Sequence, residues 1–303
     1  MDALAVILKE PKQLDVEVLE LTAPTDDDLV VDVMWSGIST GTERLLYDGT
    51  MPAFPGMGYP LVPGYETIGK VRGTQDLVFV PGAQCYKAAR GLFGGSAASL
   101  VVPQQRVVPL EQDLGPDNVL LALAATAHHA LMVDGLPDLI VGHGVVGRLL
   151  ARLTMALGGE DITVWETDPV RAQCDDYYRV VHPDEDKRRD YTRVIEASGD
   201  AGLLDQLIGR MAAKGTIVLA GFYHDRLSFA FPPAFMKEAT IKVAAEWKPI
   251  DFEGVQYLLG DGSLDLADLV THHAAATEAP QAYETAFTDR SCLKMVLDWK
   301  GCH

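Results

Sequence analysis

The sequence has few cysteines, and none of them form a closely spaced pair. Cys85, Cys174, Cys292 and Cys302 are scattered along 303 residues. A cysteine zinc site needs ligands at CxxC-type spacing, and a disulfide framework needs many cysteines in a short chain. The sequence therefore predicts neither of these, and it favours a reducing cytoplasm as the compartment.

Basic residues are also scarce. The chain has 25 Lys and Arg residues against 43 Asp and Glu residues, which gives a formal net charge of −18 at pH 7. Nucleic-acid backbones and anionic lipid surfaces both attract basic proteins. We therefore expect no nucleic-acid partner and no electrostatic docking on anionic lipid. A solvated acidic surface explains the charge.

No apolar run is long enough to cross a bilayer. The best candidate, residues 118–133, is interrupted by His128 and His129, whereas a membrane-spanning helix needs about 20 mainly apolar residues. The chain begins with a strand-like segment at residues 3–8 and lacks the architecture of a signal peptide. We therefore predict no integral membrane segment, and peripheral association with a membrane stays open.

A glycine-rich turn, VGHGVVG at residues 141–147, is the most informative motif. It follows a short apolar strand and opens a helix, and a second strand then ends at Glu166. This order is typical of a dinucleotide-binding site. Gly142 permits the tight turn, Gly144 lets a pyrophosphate approach the backbone, and Gly147 lets the helix pack closely on the strand.

The same motif indicates which dinucleotide is bound. The helix N-terminus, at Val145 and Val146, would offer backbone amides and positive potential to the phosphates. Glu166 can accept hydrogen bonds from both hydroxyls of the adenosine ribose, and its charge would repel a 2′-phosphate. The sequence therefore predicts NAD rather than NADP as the cofactor.

The remaining patterns divide the chain into two domains. Short runs of strand-forming residues lie between glycines and prolines up to about residue 110, which is typical of a β barrel or sandwich. The predicted strands are 3–8, 14–19, 29–35, 66–72, 77–80 and 99–102. Beyond this region strands and helices alternate, which indicates a parallel sheet with crossover helices. We predict a catalytic domain over 1–115, completed by 262–303, and a nucleotide-binding domain over 116–261.

Two local predictions follow from turn and cap residues. Asp168 followed by Pro169 predicts the start of a helix, since these residue types are favoured at the N-cap and at the first helical position. After about residue 262 the chain is expected to be rich in loops, and to end in a strand at 293–299 that returns to the first domain.

Several motifs together resemble the medium-chain dehydrogenase/reductase family, over essentially the whole chain. They are SGISTGTE at 36–43, PGYETIG at 63–69, ATAHHAL at 125–131, the glycine turn, EASG at 196–199 and GTIVLAG at 215–221. The resemblance implies an α/β protein with a Rossmann nucleotide-binding domain and a GroES-like β-barrel catalytic domain.

The departures from this family concern its catalytic metal. Zinc-dependent members have Cys, His and Cys where this chain has Ser39, Tyr65 and Ala122, and their hydroxyl relay position is Gly41 here. Two hydroxyls and a methyl group cannot replace two thiolates and an imidazole around Zn²⁺. The resemblance is therefore to the zinc-less branch, with no metal. The alternative is that the metal has moved to Glu43, Glu66 or His128.

Within that branch, the combination of SGISTGTE, PGYE and TAHHAL is similar to dehydrogenases of bacteriochlorophyll synthesis. This similarity implies a bacteriochlorin (tetrapyrrole) substrate, whose 3-(1-hydroxyethyl) group would be oxidised to 3-acetyl with NAD. The alternatives are a zinc-independent quinone or enone reductase of the same fold, and a non-catalytic protein that binds NAD or pigment. The assembly stays open, with a homodimer among the alternatives.

Without a metal, a side chain must accept the proton of the substrate hydroxyl. His128 is the first candidate, because it lies next to Thr126, a position that contacts nicotinamide in relatives, and a neutral imidazole is a competent acceptor. The alternative is a histidine packed on a helix, and the adjacent His129 is expected to face elsewhere. Tyr65 is a better donor to the substrate oxygen than a base.

Other polar residues of the motifs are expected to support the site. Ser39 and Thr40 could orient the substrate hydroxyl, or could simply cap a turn. Glu66 is expected to steady the site or a nearby arginine, with Arg44 as its candidate partner.

The remaining site predictions concern the cofactor and the pigment. Arg171 is expected to lie over the adenine or its ribose, with a solvated helix residue as the alternative. Gly199, Gly221 and Phe222 follow predicted strands, where ligands of α/β sheets bind, and the last two are expected to flank the nicotinamide. An apolar loop could form one wall for the macrocycle, or could pack in the ordinary way. Its residues are Met51, Phe54, Met57 and Tyr59.

Overall fold

The structure is a computed structural model, and it describes residues 1–173 and 178–303. It divides into two compact units, Met1–Ala122 with Ala267–His303 (unit 1) and Leu123–Leu266 (unit 2). The predicted boundaries after residues 115 and 261 lie a few residues before these divisions. Cys85, Cys292 and Cys302 are free thiols, and Cys174 lies outside the described residues.

In chain order, the strands and helices of the described residues are β1 Asp2–Glu10, β2 Gln13–Glu20, β3 Asp28–Ile38, α1 Thr42–Asp48, β4 Leu61–Val62, β5 Thr67–Val71, β6 Leu77–Val80, β7 Arg90–Gly91, β8 Ser99–Pro103, β9 Val108–Pro109, α2 Leu121–Asp134, β10 Leu139–Val141, α3 Val145–Ala156, β11 Thr163–Trp165, β12 Arg179–Val181, β13 Tyr191–Glu196, α4 Leu204–Arg210, β14 Met211–Leu219, α5 Phe231–Lys237, β15 Thr240–Val243, α6 Pro249–Gly260, β16 His272–Ala275, α7 Ala279–Thr288 and β17 Met295–Asp298. Short 3₁₀ turns cover Gln104–Arg106, Gly115–Leu120 and Ala276–Glu278. None of these helices is long and apolar enough to cross a membrane.

Unit 1 is built from two sheets. One has the order β2-β1-β4-β7, and the other has the order β16-β17-β3-β5-β6-β9, with β8 also paired to β3. The long strand β3 is central because it pairs antiparallel with β5, β8 and β17. Its buried face, with Val31 and Val33, packs into a shared core with β1 and with Trp299.

The C-terminal segment returns to unit 1 as predicted. β17 pairs antiparallel with β3, and the buried indole of Trp299 donates a hydrogen bond of 2.8 Å to the Ser36 hydroxyl. The expectation of a loop-rich segment before it was wrong, because β16 and the ten-residue helix α7 lie there. The buried face of α7 consists of three alanines and Tyr283, and such small residues give only a weak apolar periodicity.

Unit 2 contains a six-stranded sheet of order β12-β11-β10-β13-β14-β15, and all of its neighbouring strands are parallel. Numbered from β10, this is the order 3-2-1-4-5-6 of a doubly wound dinucleotide-binding sheet. The strand order reverses between β10 and β13. The carboxyl ends of these two strands therefore mark the place where a ligand of such a sheet binds.

Two local predictions for this unit need correction. No helix begins at Pro169 in the described residues; instead Asp168 accepts a hydrogen bond from the Val170 amide (2.8 Å) and forms a turn. The cap residue was recognised correctly, but the chain does not continue as a helix up to residue 173. The short edge strands β12 and β15 were missed, because segments of three and four residues give too little periodicity to detect.

A buried ion pair joins the returning segment to the rest of unit 1. The Lys294 ammonium contacts the Glu66 carboxylate, and their side chains are 1% and 0% exposed. Desolvation raises the pKa of Glu66, and Lys294 opposes this shift. Gly37 makes room for the pair, since a Cβ at this position would lie 2.1 Å from Glu66 Oε2. Glu66 is therefore paired with Lys294 and not with Arg44, whose guanidinium lies 3.7 Å from Asp48.

We predict that Lys294→Met destabilises the protein, because it leaves a buried carboxylate without its cation. Breaking such a pair costs about 3–5 kcal/mol, and urea denaturation at pH 8 measures the loss. The loss of unfolding free energy should become smaller as the pH falls, because a protonated Glu66 is neutral and needs no cation beside it. The double variant Glu66→Gln with Lys294→Met removes both charges and should recover most of the stability. A single variant as stable as the wild type at pH 8 would contradict the prediction.

Candidate active site

In the glycine turn between β10 and α3, only one of the three glycines has space around its Cα for a side chain or a ligand. Gly142 has a φ of 95°, and a Cβ there would lie 2.9 Å from the Ser198 backbone. A Cβ on Gly147 would lie 1.9 Å from the Gly142 carbonyl oxygen. By contrast, a Cβ on Gly144 would meet no atom within 4 Å. The turn is therefore tight against the sheet, and it is open at the residue that was predicted to face the pyrophosphate.

The carboxylate that follows β11 is held by the backbone. Glu166 accepts hydrogen bonds from the amides of His143 (3.0 Å), Thr167 (2.7 Å) and Asp168 (2.8 Å). These bonds fix the position of the carboxylate beside the glycine turn. Each carboxylate oxygen can accept more than one hydrogen bond, so acceptor capacity remains for the hydroxyls of a ribose. The arrangement fits NAD, and it would repel the 2′-phosphate of NADP.

His143, which lies between Gly142 and Gly144, was not predicted from the sequence to have a role at this site. The His143 side chain is fully buried, and its Nδ1 donates to the Arg171 carbonyl (2.6 Å) while Nε2 lies 2.7 Å from the Tyr178 hydroxyl. A carbonyl oxygen only accepts, so the proton is on Nδ1. The imidazole thereby ties the turn to the segment after Glu166, which also contains Arg171. The role predicted for the Arg171 side chain stays a prediction.

The loops that follow β13 and β14 touch each other. A Cβ on Gly221 would lie 3.0 Å from the Gly199 nitrogen, and Gly199 has a φ of 76°. Phe222 is 54% exposed in the second loop. These three residues, predicted to contact the cofactor, are therefore grouped at the carboxyl edge of the sheet. Glycine at 199 and 221 keeps the two loops close together.

A buried carboxylate lies beneath these loops, and the sequence analysis had quoted it only as part of a motif. Glu196 accepts a hydrogen bond from the Ser198 amide (2.7 Å), and the hydroxyls of Ser198 and Tyr223 also donate to it. Burial raises the pKa of Glu196 to about 7, although its hydrogen bonds with Ser198 oppose the shift. Its position at a strand end was the signal that could have identified it.

His128 and His129 share one acceptor, Asp251 at the start of α6. The Nδ1 atoms of both imidazoles lie 2.9 Å from its two carboxylate oxygens. The expectation that His129 faces elsewhere was therefore wrong, since the carboxylate is placed to reach both neighbours. Desolvation opposes ionisation of Asp251, but hydrogen bonds from His128, the Lys248 amide and His129 hold its pKa below the usual value. Thr126 lies two residues before His128 on α2 and is partly buried.

The other edge of the His128 ring faces a residue without a side chain. A Cβ on Gly254 would lie 2.9 Å from His128 Nε2. Glycine in a helix interior is unfavourable by about 1 kcal/mol relative to alanine, and here it gives the His128 ring room to pack against α6. Asp251 meanwhile occupies Nδ1. This geometry leaves Nε2 as the nitrogen that can accept a proton.

In unit 1, the residues at two former zinc-ligand positions bond to each other. The hydroxyl oxygens of Ser39 and Tyr65 are 2.6 Å apart, and the Tyr65 hydroxyl lies 3.5 Å from that of Thr42. Burial and the nearby Glu66 charge raise the pKa of Tyr65 above its usual value. Tyr65 is therefore a hydrogen-bond donor and not a base at neutral pH. Thr40, next to Ser39, is partly buried.

A second buried carboxyl lies behind this hydroxyl pair. Glu43 accepts a hydrogen bond from the Ser39 amide (3.3 Å) and another from the Tyr283 hydroxyl. Burial raises the pKa of Glu43 to about 7, although the Tyr283 bond opposes the shift. Among the described residues, no group of three or more His, Cys, Asp or Glu side chains could hold a metal ion. At the three zinc-ligand positions, Ser39, Tyr65 and Ala122 do not fit Zn²⁺ either.

The loop predicted to bind the pigment is partly used in packing. Met51 is buried with Leu46 and Leu61, and the Tyr59 hydroxyl donates to the Leu46 carbonyl. Met57 is partly buried against the same cluster, whereas Phe54 is exposed. Phe54 is therefore the member of this set with the most surface available for a ligand.

Comparisons with known proteins identify the relatives of this chain. No family model matches it. It is similar to the 2-desacetyl-2-hydroxyethyl bacteriochlorophyllide A dehydrogenases of Rhodobacter capsulatus (52% identity) and Cereibacter sphaeroides (50% identity), over 99% of this chain and of each relative. Among solved structures, the alcohol dehydrogenase RspB of Escherichia coli CFT073, complexed with NADH, has a TM-score of 0.84 at 18% identity and covers 98% of this chain and 99% of that chain.

These comparisons confirm the predicted fold class, a Rossmann domain with a GroES-like β-barrel domain. The relatives from Rhodobacter capsulatus and Cereibacter sphaeroides match over 99% of both chains, at about half of all positions. The chain belongs to the 2-desacetyl-2-hydroxyethyl bacteriochlorophyllide A dehydrogenase family.

Proposed function

We propose that this protein oxidises the 3-(1-hydroxyethyl) group of a bacteriochlorophyllide to a 3-acetyl group, with NAD and without a catalytic metal. The observation that carries the proposal is the dinucleotide-binding geometry of unit 2, in which Gly144 is open and Glu166 is fixed by three backbone amides. The substrate follows from the names of the relatives that match the full chain.

Each unit contributes a different set of groups. In unit 2, the amides of Val145 and Val146 face the phosphates and Glu166 binds the adenosine ribose, while Gly199, Gly221 and Phe222 flank the nicotinamide. NAD supplies the hydride acceptor. In unit 1, the Tyr65 hydroxyl donates to the substrate oxygen and Ser39 orients it. Phe54 offers an apolar surface to the macrocycle.

His128 accepts the hydroxyl proton in this proposal. Asp251 accepts the Nδ1 hydrogen bond, which leaves the lone pair on Nε2. A carboxylate in this position also stabilises the imidazolium that forms when Nε2 takes the proton. The competing role for His128 is packing against α6, and the two roles differ in what they predict for turnover.

The direct test is an anaerobic assay with NAD and a 3-(1-hydroxyethyl) bacteriochlorophyllide. The expected result is the absorbance change of acetyl formation, with one NADH formed per pigment, and the 3-acetyl pigment should give no NADH. A chelator should leave the rate unchanged. Inhibition that zinc reverses would contradict the metal-free site. Preferential reduction of a quinone or an enone would identify a reductase, and cofactor binding without any NADH formation would identify a binding protein.

Replacement of Glu166 by Ala should relax the choice of cofactor. The carboxylate both binds the ribose hydroxyls and repels a 2′-phosphate, so its loss should lower the preference for NAD over NADP by about tenfold or more. The ratio of the two dissociation constants, from fluorescence titration, measures this. Glu160→Ala is the control, since it removes the same charge before β11 instead of after it. Unchanged discrimination in Glu166→Ala would refute the ribose assignment.

Replacement of His128 by Ala should lower turnover by about 10²–10⁴-fold, the usual contribution of a general base. The affinity for NAD should change little, and stopped-flow single turnovers separate the two quantities. His129→Ala is the matched control, because it removes the other imidazole from Asp251 and leaves His128 in place. If both variants lose turnover equally, or if His128→Ala stays near normal, His128 is a packing residue.

A further inference from the structure

Glu196 occupies the point of the parallel sheet where the strand order reverses. It is the last residue of β13, and its neighbours in the sheet are Val141 at the end of β10 and Leu219 at the end of β14. Its side chain is 1% exposed. The proposed catalytic steps do not use this carboxyl group, although it lies at the carboxyl edge where a dinucleotide binds.

Among the described residues, no lysine or arginine forms an ion pair or hydrogen bond with Glu196. The strand neighbours Val141 and Leu219 are apolar. The loop after β13 contributes the amide and hydroxyl of Ser198, the Gly199 amide and the acidic Asp200, and the loop after β14 contributes the Tyr223 hydroxyl. These are the strongest influences from the described residues, and each is a neutral donor or an anion. Glu196 therefore differs from Glu66, whose charge is paired with Lys294.

A buried carboxylate without a protein cation responds strongly to any positive charge that arrives nearby. Burial raises the pKa of Glu196 to about 7, so both protonation states are populated at neutral pH. Of the two forms of the proposed cofactor, the oxidised nicotinamide ring is a cation and the reduced ring is neutral. The loops that Glu196 holds together, at Gly199 and at Gly221 to Phe222, are those proposed to flank that ring.

We propose that Glu196 is a charge-matching residue for the nicotinamide, whose ionised carboxylate favours bound NAD⁺ over bound NADH. This inference rests on the proposed function, since it takes NAD as the cofactor. Binding of NAD⁺ shifts Glu196 toward its ionised form and releases its proton to solvent. Binding of NADH leaves the neutral carboxyl group unchanged. The protein therefore links the redox state of its cofactor to proton binding at a residue that does not react.

Calorimetric titration of the intact protein with NAD⁺ and with NADH, from pH 5.5 to 8.5, tests the proposal. The affinity for NAD⁺ should rise with pH by about tenfold across the titration of Glu196, within the usual range of coupling between sites. The affinity for NADH should stay constant within about twofold. In buffers of different ionisation enthalpy, NAD⁺ should release about half a proton per site between pH 6 and 7, the amount that a tenfold coupling implies, and NADH should release none.

Glu196→Gln keeps the shape of the side chain and removes its charge, and its amide, with one acceptor oxygen and one donor nitrogen, resembles the protonated carboxyl group. In this variant the affinity for NAD⁺ should no longer depend on pH and should equal the low-pH value of the wild type, while NADH binds as before. Asp200→Asn, the control, removes a neighbouring charge and should keep the pH dependence. A pH dependence that persists in Glu196→Gln, or a loss of both affinities together, would overturn the inference.

Stability provides a second measurement without any cofactor. Because the folded-state pKa of Glu196 is raised, the stabilisation from its neutral form is fully present below the unfolded pKa and is lost as the pH rises through about 7. The melting temperature of Glu196→Gln should therefore fall less than that of the wild type between pH 5 and 8. An equal fall in both proteins would count against the inference.

The wild-type titrations alone are decisive if the variant does not fold. Binding of both cofactor forms without proton release by NAD⁺ would refute the role of Glu196 and leave the proposed function intact. Failure to bind either form would refute the cofactor assignment, and with it both proposals.

Discussion

Carboxylates buried from water are the constraint that organises this protein, because each one needs a compensating group. Glu66 is paired with a lysine from the returning segment, and Asp251 accepts from two imidazoles and a backbone amide. Glu43 and Glu196 have only neutral donors, and burial raises the pKa of each to about 7. Asp251 is therefore held in its charged form and Lys294 partly offsets the burial of Glu66, whereas the last two remain able to change their charge near neutral pH.

The loss of the zinc ligands changes what the remaining groups must do. A metal would stabilise an alkoxide directly, whereas hydroxyls can only donate hydrogen bonds and a separate base must take the proton. In the proposed function the Ser39–Tyr65 pair provides the donors, and the raised pKa of Tyr65 keeps its phenol protonated. In the same proposal His128, whose Nδ1 is hydrogen-bonded to Asp251, accepts the proton at Nε2. The two tasks of the metal are thus assigned to separate side chains.

The sequence predicted the features that depend on short stretches of chain. The glycine turn, the returning strand and the alternation of strands and helices follow from local spacing, and the family resemblance supplied the fold class. The partners of Glu66 and His128 could not be predicted, because Lys294 and Asp251 are 228 and 123 residues away and no local pattern points to them. The prediction of a helix at Pro169 was wrong although its signal was local, since a good cap residue does not ensure that a helix follows.

Two carboxylates at the same edge of the parallel sheet illustrate how environment separates similar side chains. Glu166 follows β11, is partly exposed and is fixed by backbone amides, and in the proposed function it accepts hydrogen bonds from the sugar of the dinucleotide. Glu196 ends β13 beneath two loops, out of contact with water, and burial raises its pKa to about 7. In our two proposals, one carboxylate therefore selects which dinucleotide binds, and the other discriminates between its oxidised and reduced forms.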